Sequence, residues 1–134
     1  MQEVYAFLKE CKTYYLATAD GDQPHIRPFG TVDIFDGGLY IQTGKVKDVA
    51  KQIFKNPKIE ICAFSGKQWL RLTAKAYEDD RYEAKDHMLD AYPHLRAIYN
   101  PGDGNTLVLR LKEATATFYT MGGGAEPKTV KFGW

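Results

Sequence analysis

The segment Ile41-Gln42-Thr43-Gly44-Lys45-Val46-Lys47-Asp48 has the residue types of an anion site. It reads as the end of a strand running into a helix start. Backbone N–H groups lack partners at a helix start, and the helix dipole adds positive potential there. Thr43 offers a hydroxyl, and Gly44 would let a ligand approach the backbone. Lys45 and Lys47 stand where the dipole disfavours cations, a conflict that a bound anion removes. The alternative is two solvated lysines, each tolerating about 0.3–1 kcal/mol. Arg27-Pro28-Phe29 falls inside a strand, where Arg27 and Phe29 share a face with His25 and Thr31. Proline cannot donate to a ladder, so this strand belongs at an edge or carries a bulge. Such an edge could hydrogen-bond a planar heterocycle; the alternative is a surface arginine beside an interface phenylalanine. Trp69 and Arg71 also share a face, suited to stacking and anion pairing. A subunit contact or an exposed cation–π pair would use the same two residues.

Other chemistries find little support. The 3 histidines and 2 cysteines show no metal-ligand spacing. There is no nucleophile elbow, P-loop or metalloprotease helix. Gly122-Gly123-Gly124 follows a strand but precedes no helix, so it is not a dinucleotide fingerprint. No side chain stands out as an acid or base, His25 and Tyr40 being the nearest candidates.

These residues must be positioned by elements that the sequence also indicates. Val4, Phe7, Leu8 and Cys11 follow helical spacing, predicting a helix over residues 2–11. Residues 13–19 read as a strand, and Asp20-Gly21-Asp22 as a turn. Residues 24–35 alternate as one strand, with Ile26, Val32 and Ile34 opposite His25, Arg27, Phe29, Thr31 and Asp33. Asp36-Gly37-Gly38 predicts a hairpin into a strand over 39–43. Val46, Val49, Ala50, Ile53 and Phe54 form a helical stripe that Asn56-Pro57 ends. Residues 58–65 and 67–77 read as paired strands. Asp80-Arg81-Tyr82-Glu83 matches a capping box for a helix that stops before Pro93, and a short helical turn is expected over 94–99. Residues 106–120 form one long strand or two joined by a bend, and 128–132 a final short one. About six antiparallel strands joined mostly by hairpins, with helices inserted, predict a mainly β, closed barrel.

Composition sets the bounds. The 134 residues suit one domain, and the net charge of +1 argues against broad binding to nucleic acid. No stretch approaches the roughly 20 apolar residues of a membrane helix, and the N-terminus does not read as a signal peptide. Cys11 and Cys62 fall on apolar positions, so two buried free thiols in a reducing cytoplasm are expected rather than a disulfide.

The segments PHIRPFGTVDIFDGGLYIQTGKVKDVAKQIFKNPKIEICAF, WLRLTAKA and YPHLRAIY, in this order and spacing, resemble the pyridoxamine 5′-phosphate oxidase-related, FMN-binding split-barrel family. The likeness runs from the first predicted helix through Phe132. It implies a six-stranded antiparallel split barrel with inserted helices, and a homodimer with FMN at the subunit interface. By position, Arg27, Pro28 and Phe29 would line the isoalloxazine and ribityl chain. Gln42 and Thr43 would continue along the tail, and Lys47 would pair with the phosphate. Trp69 and Arg71 would come to the flavin from a neighbouring strand or the partner subunit, and the tail around Phe132 and Trp134 would approach it. The oxidase itself has a longer loop, with Ser and Arg, where this chain has only Gly44-Lys45-Val46, and its C-terminal substrate segment is not recognisable here. The resemblance therefore implies an FMN-dependent oxidoreductase acting on a small molecule other than pyridoxamine phosphate. Similar short members include flavin reductases and nitroimidazole-reductase relatives, binding modules or sensors, and proteins that take deazaflavin or haem.

Overall fold

Eight strands build one sheet that curls around the core, with three helices laid against it. The computed structural model describes residues 1–134. In chain order the elements are α1 (Gln2–Cys11), β1 (Tyr14–Asp20), β2 (Gln23–Phe29), β3 (Asp33–Phe35), β4 (Gly38–Gly44), α2 (Asp48–Lys55), β5 (Lys58–Phe64), β6 (Gln68–Glu78) and α3 (Tyr82–Ala91). A short 3₁₀ helix (Pro93–Ala97), β7 (Thr106–Thr120) and β8 (Lys128–Phe132) follow. The sheet runs β2-β1-β5-β6-β7-β4-β3, every pairing antiparallel, and β8 adds to β7. The ends of this path, β2 and β3, are not hydrogen-bonded to each other, so the barrel is split. No helix is long and apolar enough to cross a membrane.

The extra strands have local causes. The stretch expected as one strand over 24–35 breaks after Phe29. Beyond the break, the Tyr92 hydroxyl accepts from the Val32 amide at 3.0 Å and donates to the Val32 carbonyl at 3.1 Å. A side chain thus takes the hydrogen bonds that a continuing strand would have used. The remainder resumes as β3 against β4. Residues 106–120 stay one strand but bulge where Glu113 and Ala114 oppose Ala74 alone, with Glu113 at φ 48°. The bend lets β7 meet β4 with one half and β8 with the other. Gly133 (φ 79°) closes over the bulge, its carbonyl accepting from the Glu113 amide at 3.0 Å.

The barrel core collects alternate residues of each strand. Leu16, Ile59, Ile61, Ala63, Leu70 and Leu72 point inward, and Val4, Phe7 and Leu8 of α1 plug one side. The same alternation corrects the expectation of two buried thiols. Both cysteines are free, but Cys62 lies with Glu60 and Phe64 on the outer, open face of β5, and Cys11 is half-buried. The expected capping box does not form either. α3 begins at Tyr82 with Arg81 as its N-cap and no side-chain cap. Asp79 instead grips the Arg81 guanidinium at 2.8 Å, and Asp80 pairs with Lys85 at 2.9 Å. The Arg81 hydrogen bonds, and after them the Tyr40 hydroxyl, hold the Asp79 carboxyl well below the usual carboxylate range.

The loop before β7 is ordered by Asp103. Its carboxylate accepts from the amides of Asn100, Asn105 and Thr106 and from the Thr106 hydroxyl, at 2.7–3.0 Å. Partial burial pushes this carboxyl up, but the hydrogen bonds outweigh it and bring it to about 2. A depressed pKa stabilises the fold above the unfolded value of about 3.9, and the contribution is lost as pH falls toward the folded value. Melting temperatures at pH 4, 3 and 2 should therefore fall more steeply for the wild type than for Asp103→Asn. Parallel curves would show that Asp103 carries no such linkage.

Candidate functional site

The site is built where the edge strand β2 faces the start of α2. Pairing of Arg27 with Leu16 turns the arginine toward the inner face of the sheet. Because β2 is an edge, the side chain reaches over β1 to α2 rather than into packed core. The guanidinium donates to the Leu16 carbonyl at 3.2 Å, to Thr18 Oγ1 at 2.8 Å and to Gln52 Oε1 at 2.9 Å. The Thr18 hydroxyl donates in turn to Gln52 Oε1. Every partner is neutral. Burial lowers the Arg27 pKa, with the nearby Asp48 opposing, yet an arginine stays charged. The chain therefore holds a fixed cation without a paired counterion, an arrangement suited to an anion.

Lys47 stands across from it. It is the N-cap of α2 with extended backbone (φ −80°, ψ 150°). The preceding turn is held from the loop that Asp103 orders: the Asn105 carbonyl accepts from the Lys45 amide at 2.8 Å, and Asn105 Oδ1 accepts from the Val46 amide at 3.2 Å. The Ala50 amide is used by the Lys47 carbonyl at 3.1 Å. The amides of Asp48 and Val49, in the first turn of α2, are left without intrahelical acceptors. Lys45 turns away, with Nζ 2.8 Å from Glu78 Oε2, and that hydrogen bond raises its pKa. Of the two lysines singled out in the sequence, only Lys47 faces the site. Gly44 also has a different role from the one expected. A Cβ there would lie 3.1 Å from the Tyr99 hydroxyl and 3.2 Å from the Asn105 side chain, so its smallness admits the protein's own loop.

Two cavities meet at Lys47. A polar cleft of about 660 Å³ runs between β2 and α2, lined by His25, Arg27, Lys47, Lys51, Gln52 and Lys55 among others. A smaller cavity of about 220 Å³ lies beyond it, lined by Pro28, Phe29, Thr31, Gln42, Thr43 and Lys47. Its far wall is Leu95, Ile98 and Tyr99, from the 3₁₀ helix and the residues just after it. Gln42 is only 6% exposed, and neither Nε2 nor Oε1 has a hydrogen-bond partner. A buried amide left unpaired costs about 1–3 kcal/mol, so a group able to pair with it would bind favourably here.

The structure thus brings Arg27, Pro28, Phe29, Gln42, Thr43 and Lys47 around a groove made of two cavities that share Lys47. Trp69 and Arg71 lie elsewhere in the chain, on the outer face of the sheet. Trp69 stacks on Tyr119 at 4.3 Å, and Arg71 lies over the Trp69 ring and 3.6 Å from Glu60. Phe132 packs on the core, while the exposed Trp134 lines a separate cavity of about 460 Å³ that holds none of the candidate residues. Tyr40 is buried outside the groove, donating to Asp79 at 2.6 Å and accepting from Arg110 at 3.1 Å. His25 lines the cleft. Sequence reasoning did not pick out Thr18 and Gln52, which orient Arg27, or Leu95 and Ile98. The period-four spacing of Lys47, Lys51 and Lys55 was the available signal for the length of the cleft.

Comparison with known proteins agrees with this fold. The family model described as Pyridoxamine 5′-phosphate oxidase matches residues 1–120. A NimC/NimA family protein from Clostridium acetobutylicum is 41% identical with TM-score 0.94, over 98% of this chain and 92% of that one. General Stress Protein 26 from Bacillus anthracis shares the fold at 16% identity and TM-score 0.73, over 98% and 97% of the two chains. PhzG from Burkholderia lata, solved with tetrahydrophenazine-1-carboxylic acid, does so at 15% identity and TM-score 0.67, over 98% and 87%. No curated protein matches the chain. With nearly its whole length matched and its strands in a split antiparallel barrel, the chain belongs to the pyridoxamine 5′-phosphate oxidase-related family.

Proposed function

We propose that the chain binds FMN in the groove between β2, β4 and α2 and works as an oxidoreductase on a small molecule. The observation that carries this reading is the buried, unpartnered Gln42 amide in a cavity that opens at Lys47 into a cationic cleft. A ligand with a polar ring system at one end and a phosphate at the other satisfies both. The phosphate would lie against Lys47, the free amides of Asp48 and Val49, and Arg27. The ring would lie along Pro28 and Phe29 with an edge toward Gln42 and Thr43. FMN, when bound, supplies the electron-transfer chemistry, and the protein binds, orients and shields it. Purified protein should be yellow and should quench the fluorescence of added FMN. A colourless protein that leaves FMN fluorescence unchanged would overturn the reading, and absence of reduction by NADH or NADPH would leave a flavin-binding module in place of an oxidoreductase.

The functional unit in this reading is a homodimer. On the outer face, Pro28, Tyr15, Cys62, Arg71 and Thr117 stand in one cross-strand row, with Phe64, Trp69 and Tyr119 in another. Tyr15, Ile26 and Phe64 are about half exposed or more. A contiguous aromatic face of this kind is uncommon on a monomer. Its row ends at Pro28, beside Arg27, so a second copy covering it reaches the mouth of the groove. An isologous pairing would then bring Trp69 and Arg71 of each subunit toward the site of the other.

Lys47→Ala should weaken FMN binding by about 1–3 kcal/mol and leave riboflavin, which has no phosphate, nearly unchanged. Fluorescence titration with both ligands checks this. Equal losses would remove Lys47 from the phosphate.

A further inference from the structure

We propose that the cleft between β2 and α2 holds a second anion seat, beyond the one for the FMN phosphate, that takes a diphosphate group. The inference rests on the FMN reading for the first seat and on the length and charge of the cleft for the second.

Lys47, Lys51 and Lys55 recur every four residues, so they form one row along the cleft face of α2. At a rise of about 1.5 Å per residue the row runs about 12 Å along the axis. The lysines with carboxylate partners are Lys45, Lys75, Lys85 and Lys128, and none of the row is among them. Like charges four apart on a helix repel, and no lysine of the row is in an ion pair. Across the cleft stand His25 and Arg27, the arginine already held by neutral groups only. The carboxylates facing the same space are Asp20, 3.9 Å from His25, and Asp48 in the first turn of α2. They leave the cleft with more fixed positive than negative charge.

One phosphate on Lys47, Arg27 and the amides of Asp48 and Val49 uses one end of this cleft. At about 660 Å³ the space extends well beyond a single phosphate. Lys51 and Lys55 face the remainder, opposite His25. A diphosphate laid along the row would meet Lys51 and Lys55 on the α2 side. Two ligands carry such a group next to flavin chemistry. One is a flavin dinucleotide, in which the second phosphate continues from the first. The other is a nicotinamide dinucleotide acting as electron donor to bound FMN.

The test compares wild type with the double variant Lys51→Gln/Lys55→Gln, both exposed helix positions whose replacement leaves the core intact. Calorimetry with inorganic pyrophosphate and inorganic phosphate should show pyrophosphate binding at least tenfold tighter to wild type. The variant should lose that preference while its FMN affinity changes less than twofold. Tighter binding of FAD than FMN, lost in the variant, assigns the diphosphate to the flavin. Binding of NADPH to FMN-loaded protein, lost in the variant, assigns it to the donor. Equal affinity of wild type for phosphate and pyrophosphate overturns the proposal, as does a variant that loses FMN as strongly as pyrophosphate. Failure of wild type to bind FMN at all would sink the flavin reading, and the pyrophosphate preference would still decide the second seat.

Discussion

Phe64→Asp should leave the chain folded, convert the proposed dimer to single chains and cut FMN affinity at least tenfold. Phe64 is 57% exposed in one chain and contributes nothing to the barrel core, so its loss has little effect on monomer stability. In the proposed dimer it lies beside Trp69 at the centre of the aromatic face. A carboxylate there would be buried without a partner, a penalty of about 3–5 kcal/mol. That is enough to raise the dimer dissociation constant by more than a hundredfold, since about 1.4 kcal/mol corresponds to a factor of ten. Light scattering should report the mass of one chain, with circular dichroism unchanged. The loss of FMN affinity follows from the placement of Trp69 and Arg71. These residues do not reach the groove of their own chain, so in the proposed dimer they would serve the flavin of the partner subunit. A variant that keeps the wild-type mass would refute the interface. A monomeric variant that still binds FMN as tightly as wild type would show that each groove is complete within its chain.

The parts of the fold that follow from local pattern were legible in the sequence. The helix at 2–11, the hairpin around Asp36-Gly37, and the alternation of β5 and β6 each depend on spacing within one segment. What was not legible depends on contacts between distant segments. Nothing near Gly30 announces that Tyr92 will take the Val32 hydrogen bonds and split one strand in two. Lys45 and Lys47 look alike at a helix start, and only the position of Glu78, at the end of β6, separates them. Gly44 reads as a ligand-approach glycine until the loop carrying Tyr99 and Asn105 is folded against it. Cys62 sits among apolar residues, and period two places it on the face that is core only if a second chain covers it. Lys47 could be named from the sequence because an anion site at a helix start requires its type, and Arg27 from its place beside Pro28 and Phe29 on an edge strand. The counterion-free setting of Arg27 could not, since it arises from Thr18 and Gln52, one on β1 and one on α2.

Gln42→Leu should move stability and binding in opposite directions, and this separates a ligand contact from a structural one. The side chain of Gln42 is buried in a cavity wall with both amide atoms unpaired. Leucine fills nearly the same volume with no polar atom to satisfy. Removing an unmet buried amide should stabilise the apo protein by about 1–3 kcal/mol, raising its melting temperature by several degrees. The backbone of Gln42 is unaffected, because its N–H still donates to Thr31 Oγ1 at 3.0 Å. FMN, by contrast, would lose the partner that the amide offers and would face an apolar wall with its own polar edge unpaired. The expected loss is on the order of 1–3 kcal/mol, or roughly five- to 150-fold in dissociation constant. Thermal melts of apo protein and FMN titrations on the same preparations give both numbers. A destabilised variant that binds FMN normally would mean that the amide serves the fold. A stabilised variant with weakened binding would mean that the fold keeps an unpaired group because the ligand pairs with it.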